Sequence, residues 1–162
     1  NDSTTSLQSF YWRDTLPTDA VRLTRLVTGT YSTTQTYKVT FTTNLNSQWR
    51  TAYDNLSTAK NYTLDMSSAA LGLASNEYVT QFMLSFGIVP AGFHQLTNAT
   101  VDAQTLYALT NGYKFTNKAD VGGLLGGNWV QSIARWTTSI YSHYVPAKPA
   151  APKSPTLPRT GY

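Results

Sequence analysis

Two polar side chains interrupt strand faces that are otherwise apolar, and their types make them the first candidates for chemistry. Asp14 shares the predicted inward face of Trp12, and Asn117 shares that of Phe115. A buried carboxyl or carboxamide destabilises a fold by several kcal/mol unless a partner satisfies it. The two side chains therefore form a hydrogen-bonded pair, or each serves a local role. In the second case Asp14 caps the turn at 15–17 and Asn117 satisfies a bulge.

The other reactive residue types do not combine into a catalytic or metal-binding pattern. His94 and His143 are the only histidines, neither has a carboxylate at metal-ligand spacing, and cysteine is absent. No Gly-x-Ser-x-Gly elbow occurs, and the glycine-rich run at 122–127 lacks the Lys-Ser/Thr of a phosphate loop. We therefore expect no enzyme, no metal and no cofactor.

The composition is typical of an all-β extracellular domain. Of the 162 residues only 12% are charged, whereas 13% are aromatic, and threonine and serine abound. The net charge of +4 comes from scattered basic residues, which argues against a nucleic-acid partner. No run of about 20 apolar residues is present, so we expect no membrane span in this segment.

Short alternating runs between turn residues predict the elements that position these side chains. The predicted strands are 7–14, 21–28, 36–43, 49–56, 62–65, 77–86, 100–109, 113–121 and 136–141. The Asn111-Gly112 pair predicts a hairpin, and the glycines at 122–127 predict a loop. Together they favour a β-sandwich or a β-barrel.

Aromatic residues raise a second kind of function. A β-sandwich can carry an exposed aromatic platform for sugar rings, and the candidates here are Trp49 and Trp129. Tryptophans on apolar faces are otherwise core residues, as Trp12 is predicted to be. The exposure of Trp49 and Trp129 therefore distinguishes a binding site from ordinary packing.

Five prolines recur at every third position from Pro146 to Pro158. Polyproline II has three residues per turn, so this spacing predicts an extended, semi-rigid spacer. The alternatives are an unstructured tail or a ligand for a proline-binding domain. We predict a folded domain at 1–144 followed by a proline-rich tail at 145–162.

The tail ends in Leu157, Pro158, Arg159, Thr160 and Gly161, which resemble an LPxTG sorting signal. The resemblance implies that a sortase cuts between Thr160 and Gly161. The Thr160 carboxyl would then be joined to an amine of peptidoglycan or of a neighbouring pilin. It also implies a secreted protein anchored to the cell wall of a Gram-positive bacterium.

Three segments resemble collagen-adhesin-type (CnaA-like, DUF11-like) surface domains. The first is FYWRDTLP at 10–17, and the second is YKFTNKADV at 113–121. The third, FGIVPAGF at 86–93, is similar to a segment of wall-proximal adhesin and pilin domains. The resemblance implies an Ig-like (CnaA-type) β-sandwich.

In that family an inward lysine on the first strand forms an isopeptide bond to an asparagine on the last strand. By resemblance, Asn117 would be the acceptor and Asp14 the assisting acid. The lysines of the predicted domain fall on outward positions or in a loop: Lys38, Lys114, Lys118 and Lys60. No donor is therefore found in this chain. Either the strand that carries it precedes Asn1, or no cross-link forms.

These features together predict a mechanical role. We expect a stalk or anchoring module of a surface adhesin or pilin, with sortase and peptidoglycan or a neighbouring pilin as partners. Chemistry in this chain would at most be autocatalytic isopeptide formation. The alternative is a β-sandwich adhesin domain that binds a host glycan or protein ligand.

Overall fold

The computed structural model describes residues 1–141, which form eleven strands and no helix. The strands are β1 (Leu7–Thr15), β2 (Val21–Val27), β3 (Thr30–Tyr31), β4 (Thr36–Thr43), β5 (Arg50–Ser57), β6 (Thr63–Asp65), β7 (Val79–Val89), β8 (Gln95–Thr97), β9 (Thr100–Thr105), β10 (Lys114–Leu125) and β11 (Asn128–Ser139). Residues 1–141 thus contain no helix long and apolar enough to cross a membrane.

The strands pair in antiparallel sheets, which confirms the prediction of an all-β fold. A six-stranded sheet, called here the large sheet, has the order β11-β10-β1-β7-β4-β5. A three-stranded small sheet has the order β6-β2-β9, and β3 pairs with β8. The arrangement is consistent with a β-sandwich, because side chains from both main sheets join one core.

The core lies on one face of the large sheet, called the inner face, and is built from alternating side chains. Val39, Phe82 and Leu84 of the large sheet are fully buried, as are Leu23 and Leu26 of the small sheet. Side chains at the intervening positions of the large sheet point to its opposite, outer face. Two surfaces of different chemistry result from the same strands.

Strand β10 is longer than predicted because two of its glycines continue the ladder. Gly122 and Gly123 both pair with β11, so the prediction of a loop at 122–127 is wrong. Only Gly126 and Gly127 turn, with φ of +55° and +84°, and this pair joins β10 to β11 as a hairpin. A Cβ at Gly122 would lie 2.9 Å from the Tyr11 hydroxyl, which favours glycine at this crowded position.

The hairpin predicted at Asn111-Gly112 is also wrong. A turn does form there, since the Tyr113 amide donates to the Thr110 carbonyl at 3.0 Å. The strand before it, β9, pairs with β2 in the small sheet, whereas β10 belongs to the large sheet. The turn therefore carries the chain from one sheet to the other.

A bulge in β1 sets which of its side chains face the core. Ser9 has φ of +52°, and between Gln8 and Tyr11 the strand holds one residue more than β10 opposite it. Phe10 consequently faces inward, with its ring centroid 5.6 Å from that of Phe93. Tyr11, the next residue, faces outward.

The tail features predicted from the sequence lie outside the described residues. These are the domain boundary at 144, the proline-rich spacer and the sorting signal at 157–161.

Candidate functional site

Asp14 and Asn117 meet on the inner face, between the adjacent strands β1 and β10. Asn117 Nδ2 donates to Asp14 Oδ2 at 3.0 Å, and Asp14 is 4% exposed. The strand register places Asp14 opposite Ala119, which brings Asn117 within reach along the same face. The predicted inward pairing of these two residues is therefore present, in its hydrogen-bonded form.

The pair is incompletely satisfied. Asp14 Oδ1 and Asn117 Oδ1 are buried and have no hydrogen-bond partner. Burial raises the pKa of Asp14 to about 6, and the nearby Asp120 charge adds to this effect, whereas the Asn117 hydrogen bond opposes it. A carboxyl in this state can take up or release a proton close to neutral pH.

The lysines of the described chain do not complete the pair. Lys38, Lys60 and Lys114 are exposed. Lys118 is paired with Thr15 in the β1–β10 register, one position away from Asp14 and therefore on the other face. Within residues 1–141, Asp14 forms no ion pair with a lysine.

A second buried polar group lies on the outer face of the same two strands. Asp120 is 2% exposed, and its carboxylate accepts hydrogen bonds from Arg13 Nε at 3.0 Å and Nη2 at 2.9 Å. Tyr11 Oη and Gln131 Nε2 also donate to it, each at 2.8 Å. We call these four residues the Asp120 cluster.

The Asp120 cluster keeps a buried carboxylate ionised. Burial alone would raise the pKa of Asp120, but hydrogen bonds from Arg13, Tyr11 and Gln131 and the Arg13 charge outweigh it and lower the pKa. Burial and the neighbouring Asp120 raise the pKa of Tyr11, which stays a neutral donor. Both carboxyls are buried on the same two strands, yet the pKa of Asp14 is raised and the pKa of Asp120 is lowered.

Sequence reasoning missed the Asp120 cluster. Arg13 and Asp120 both fall on outward parity, but the sequence gives no register between their strands. One signal could have indicated the ion pair. Arg13 and Asp120 have opposite charges and lie close in sequence to Asp14 and Asn117, the two inward polar residues. Pairing Asp14 directly opposite Asn117 would have put Arg13 opposite Lys118, whereas the actual register, with Asp14 opposite Ala119, puts Arg13 opposite Asp120.

The two candidate ligand aromatics come together at one groove on the outer face. Trp49 is 39% exposed and Trp129 is 55% exposed, so neither is a core residue. Both line a groove of about 510 Å³, here called the aromatic groove. Its other lining residues are Ser9, Phe10, Tyr11, Arg13, Met83, Ser85 and Gly87.

No protein-family model, curated protein or solved structure matches this chain.

Proposed function

We propose that this chain is a structural stalk and anchoring module of a Gram-positive surface adhesin or pilin, attached by sortase at Thr160. The observation that carries the proposal is the LPRTG motif at 157–161 behind prolines spaced by three. The sortase cysteine would attack the Thr160 carbonyl and release the segment that begins at Gly161. An amine of peptidoglycan or of a neighbouring pilin would then take the acyl group.

The folded body suits a module that carries load. We propose that it is an Ig-like, CnaA-type sandwich, supported by two antiparallel sheets around one core. The central strands β1 and β7 pair along most of their length, from Leu7 opposite Val89 to Thr15 opposite Gln81. Many backbone hydrogen bonds would therefore have to break before β1 left the sheet.

We propose Asn117 as an isopeptide acceptor and Asp14 as its assisting acid, in a site that lacks its donor lysine in this chain. Two partnerless buried oxygens and the raised pKa of Asp14 support this role. A neutral lysine Nζ would attack Asn117 Cγ and form the new amide bond. Asp14 would relay a proton from Nζ to Nδ2, which leaves as ammonia.

The observed hydrogen bond fits the state before reaction. Asn117 donates its amide N–H to the Asp14 carboxylate, so Asp14 is an acceptor here. To polarise the amide, Asp14 must be protonated and donate to Asn117 Oδ1, which requires the carboxamide to turn over.

Intact mass spectrometry tests the missing donor. We expect the purified protein to have the full mass of its sequence, because no lysine pairs with Asp14 in residues 1–141. A mass lower by one ammonia, absent from the Asn117→Ala variant, would show that a cross-link forms and would contradict this prediction.

Sortase transfer tests the anchoring proposal. Incubated with a sortase and a fluorescent oligoglycine amine, the chain should become labelled and lose Gly161-Tyr162. Thr160→Ala should abolish labelling, because the acyl-enzyme cannot form at the recognised threonine. Thr156→Ala, in the same tail but outside the motif, is the matched control and should be labelled like the parent. Equal labelling of both variants, or none of the parent, would refute the proposal.

A further inference from the structure

The aromatic groove lies across the outer face of the large sheet and has a floor built from several strands. Trp49, just before β5, and Trp129, in β11, come from opposite ends of the strand order. Tyr11 and Arg13 of β1 and Met83 of β7 lie between them. Large apolar rings therefore flank a floor that carries polar groups.

Contacts with Tyr11 and Arg13 hold the Trp129 side of the groove in place. The Trp129 ring stacks on Tyr11 with centroids 5.7 Å apart and an interplanar angle of 20°. Arg13 lies over the Tyr11 ring, 5.4 Å from its centroid, and is itself held by two hydrogen bonds to Asp120. A surface fixed before binding loses little conformational entropy when a ligand arrives.

The groove is electrically balanced. Arg13 is the one charged residue among those that line it, and its charge is compensated by the buried Asp120 carboxylate. An anionic or cationic ligand would therefore lose its hydration without gaining an unpaired opposite charge. The complementary ligand is uncharged.

The polar groups of the groove match a ligand with many hydroxyls. Asp120 occupies Arg13 Nε and one Nη2 hydrogen, and the guanidinium has five N–H donors. The Arg13 side chain is 29% exposed, so donors remain within reach of the groove. Ser9 and Ser85 add hydroxyl groups that both donate and accept.

We propose that the aromatic groove binds a neutral oligosaccharide. The faces of Trp49 and Trp129 would stack on the apolar faces of sugar rings, and Arg13, Ser9 and Ser85 would bind their hydroxyls. A proline-rich peptide is the other ligand that aromatic grooves accept. The sugar fits better because its hydroxyls both donate and accept, as do those of Ser9 and Ser85, whereas a proline-rich strand presents carbonyl acceptors but few N–H donors.

Tryptophan fluorescence titration of the full chain tests the proposal. The probes are four neutral tetrasaccharides of glucose, galactose, mannose and N-acetylglucosamine, each up to about 10 mM, where a Kd of about 1 mM is measurable. At least one should change the emission. Trp49→Ala and Trp129→Ala should each weaken that binding by about tenfold or more, because each removes a stacking ring.

Trp136→Ala is the matched control. Trp136 is 75% exposed on the same β11 but does not line the groove, so its loss should leave affinity unchanged. If Trp129→Ala unfolds, Trp49→Ala and the milder Trp129→Phe carry the test. All these variants should remain sortase substrates, which separates this proposal from anchoring.

Three results would overturn the proposal. The first is that none of the neutral tetrasaccharides binds. The second is that Trp49→Ala binds as tightly as the parent. The third is that only a sialylated glycan or a proline-rich peptide binds, because the ligand would then belong to another chemical class.

Discussion

Asp120→Ala is expected to lower the free energy of unfolding by about 3 kcal/mol. The substitution removes a carboxylate that accepts four hydrogen bonds and leaves Arg13, Tyr11 and Gln131 without their shared partner. Removing one member of a buried ion pair typically destabilises a protein by about 3–5 kcal/mol. The lower end applies because the Arg13 side chain is 29% exposed and can regain water.

Urea unfolding at neutral pH measures this change. Asp102→Ala is the control, because Asp102 pairs with Arg25 at a site where both side chains are about half exposed, 45% and 57% respectively. Exposed ion pairs contribute about 0–1 kcal/mol. If Asp120→Ala were no more destabilising than Asp102→Ala, the Asp120 cluster would not be holding β1 and β10 together.

Asp14→Asn is expected to make the protein more stable above about pH 7, by about 2–3 kcal/mol. Burial raises the pKa of Asp14 from 3.8 to about 6, so the folded state binds this proton more tightly than the unfolded chain does. Each pKa unit corresponds to about 1.4 kcal/mol. The stability that Asp14 contributes is therefore complete below about pH 4 and is lost as the pH rises through about 6. Asparagine has no charge to desolvate, so the variant lacks this loss.

The difference in unfolding free energy between variant and parent, measured from about pH 4 to pH 8, isolates the Asp14 contribution. Other carboxyls, including Asp120 with its lowered pKa, titrate in both proteins and cancel. Asp54→Asn, at an exposed carboxyl, is the control and should change stability by less than about 0.5 kcal/mol. Parallel pH profiles for parent and Asp14→Asn would show that Asp14 is not desolvated.

Alternation along the strands predicted the core well. Alternation along 36–43 places Tyr37, Val39 and Phe41 on one face, and they are 3%, 0% and 4% exposed. The rule finds the apolar face because side chains on one face recur every two residues, but Thr40 and Thr42 on the other face are buried as well, 6% and 4% exposed. Strand ends were predicted wrongly at glycines, because glycine was taken to end a strand. Gly87 and Gly122 lie within β7 and β10, since extended and bulged backbone both accept glycine.

The inward pair was predictable, but its surroundings were not. Parity along each strand placed Asp14 and Asn117 on inner faces, and local information was sufficient for that. The Asp120 cluster and the aromatic groove depend on the order of the strands in the large sheet. In that sheet β1 lies between β10 and β7, although β1 is far from both strands in the sequence. The exposure of Trp49 and Trp129 was left open by the sequence, and only the folded sheet brings the two side chains to one groove.

The extra residue at Ser9 decides which side chains of β1 point to the inner face and which to the outer face. On one side of it Leu7 is buried, and on the other Phe10 is turned toward the core, three positions away instead of an even number. If the same residues formed a regular strand without the bulge, Leu7 and Phe10 would point to opposite faces: keeping Phe10 inside would expel Leu7, and keeping Leu7 inside would swing Tyr11 into the interior. The left-handed backbone at Ser9 is therefore what lets one strand bury two side chains at an odd spacing.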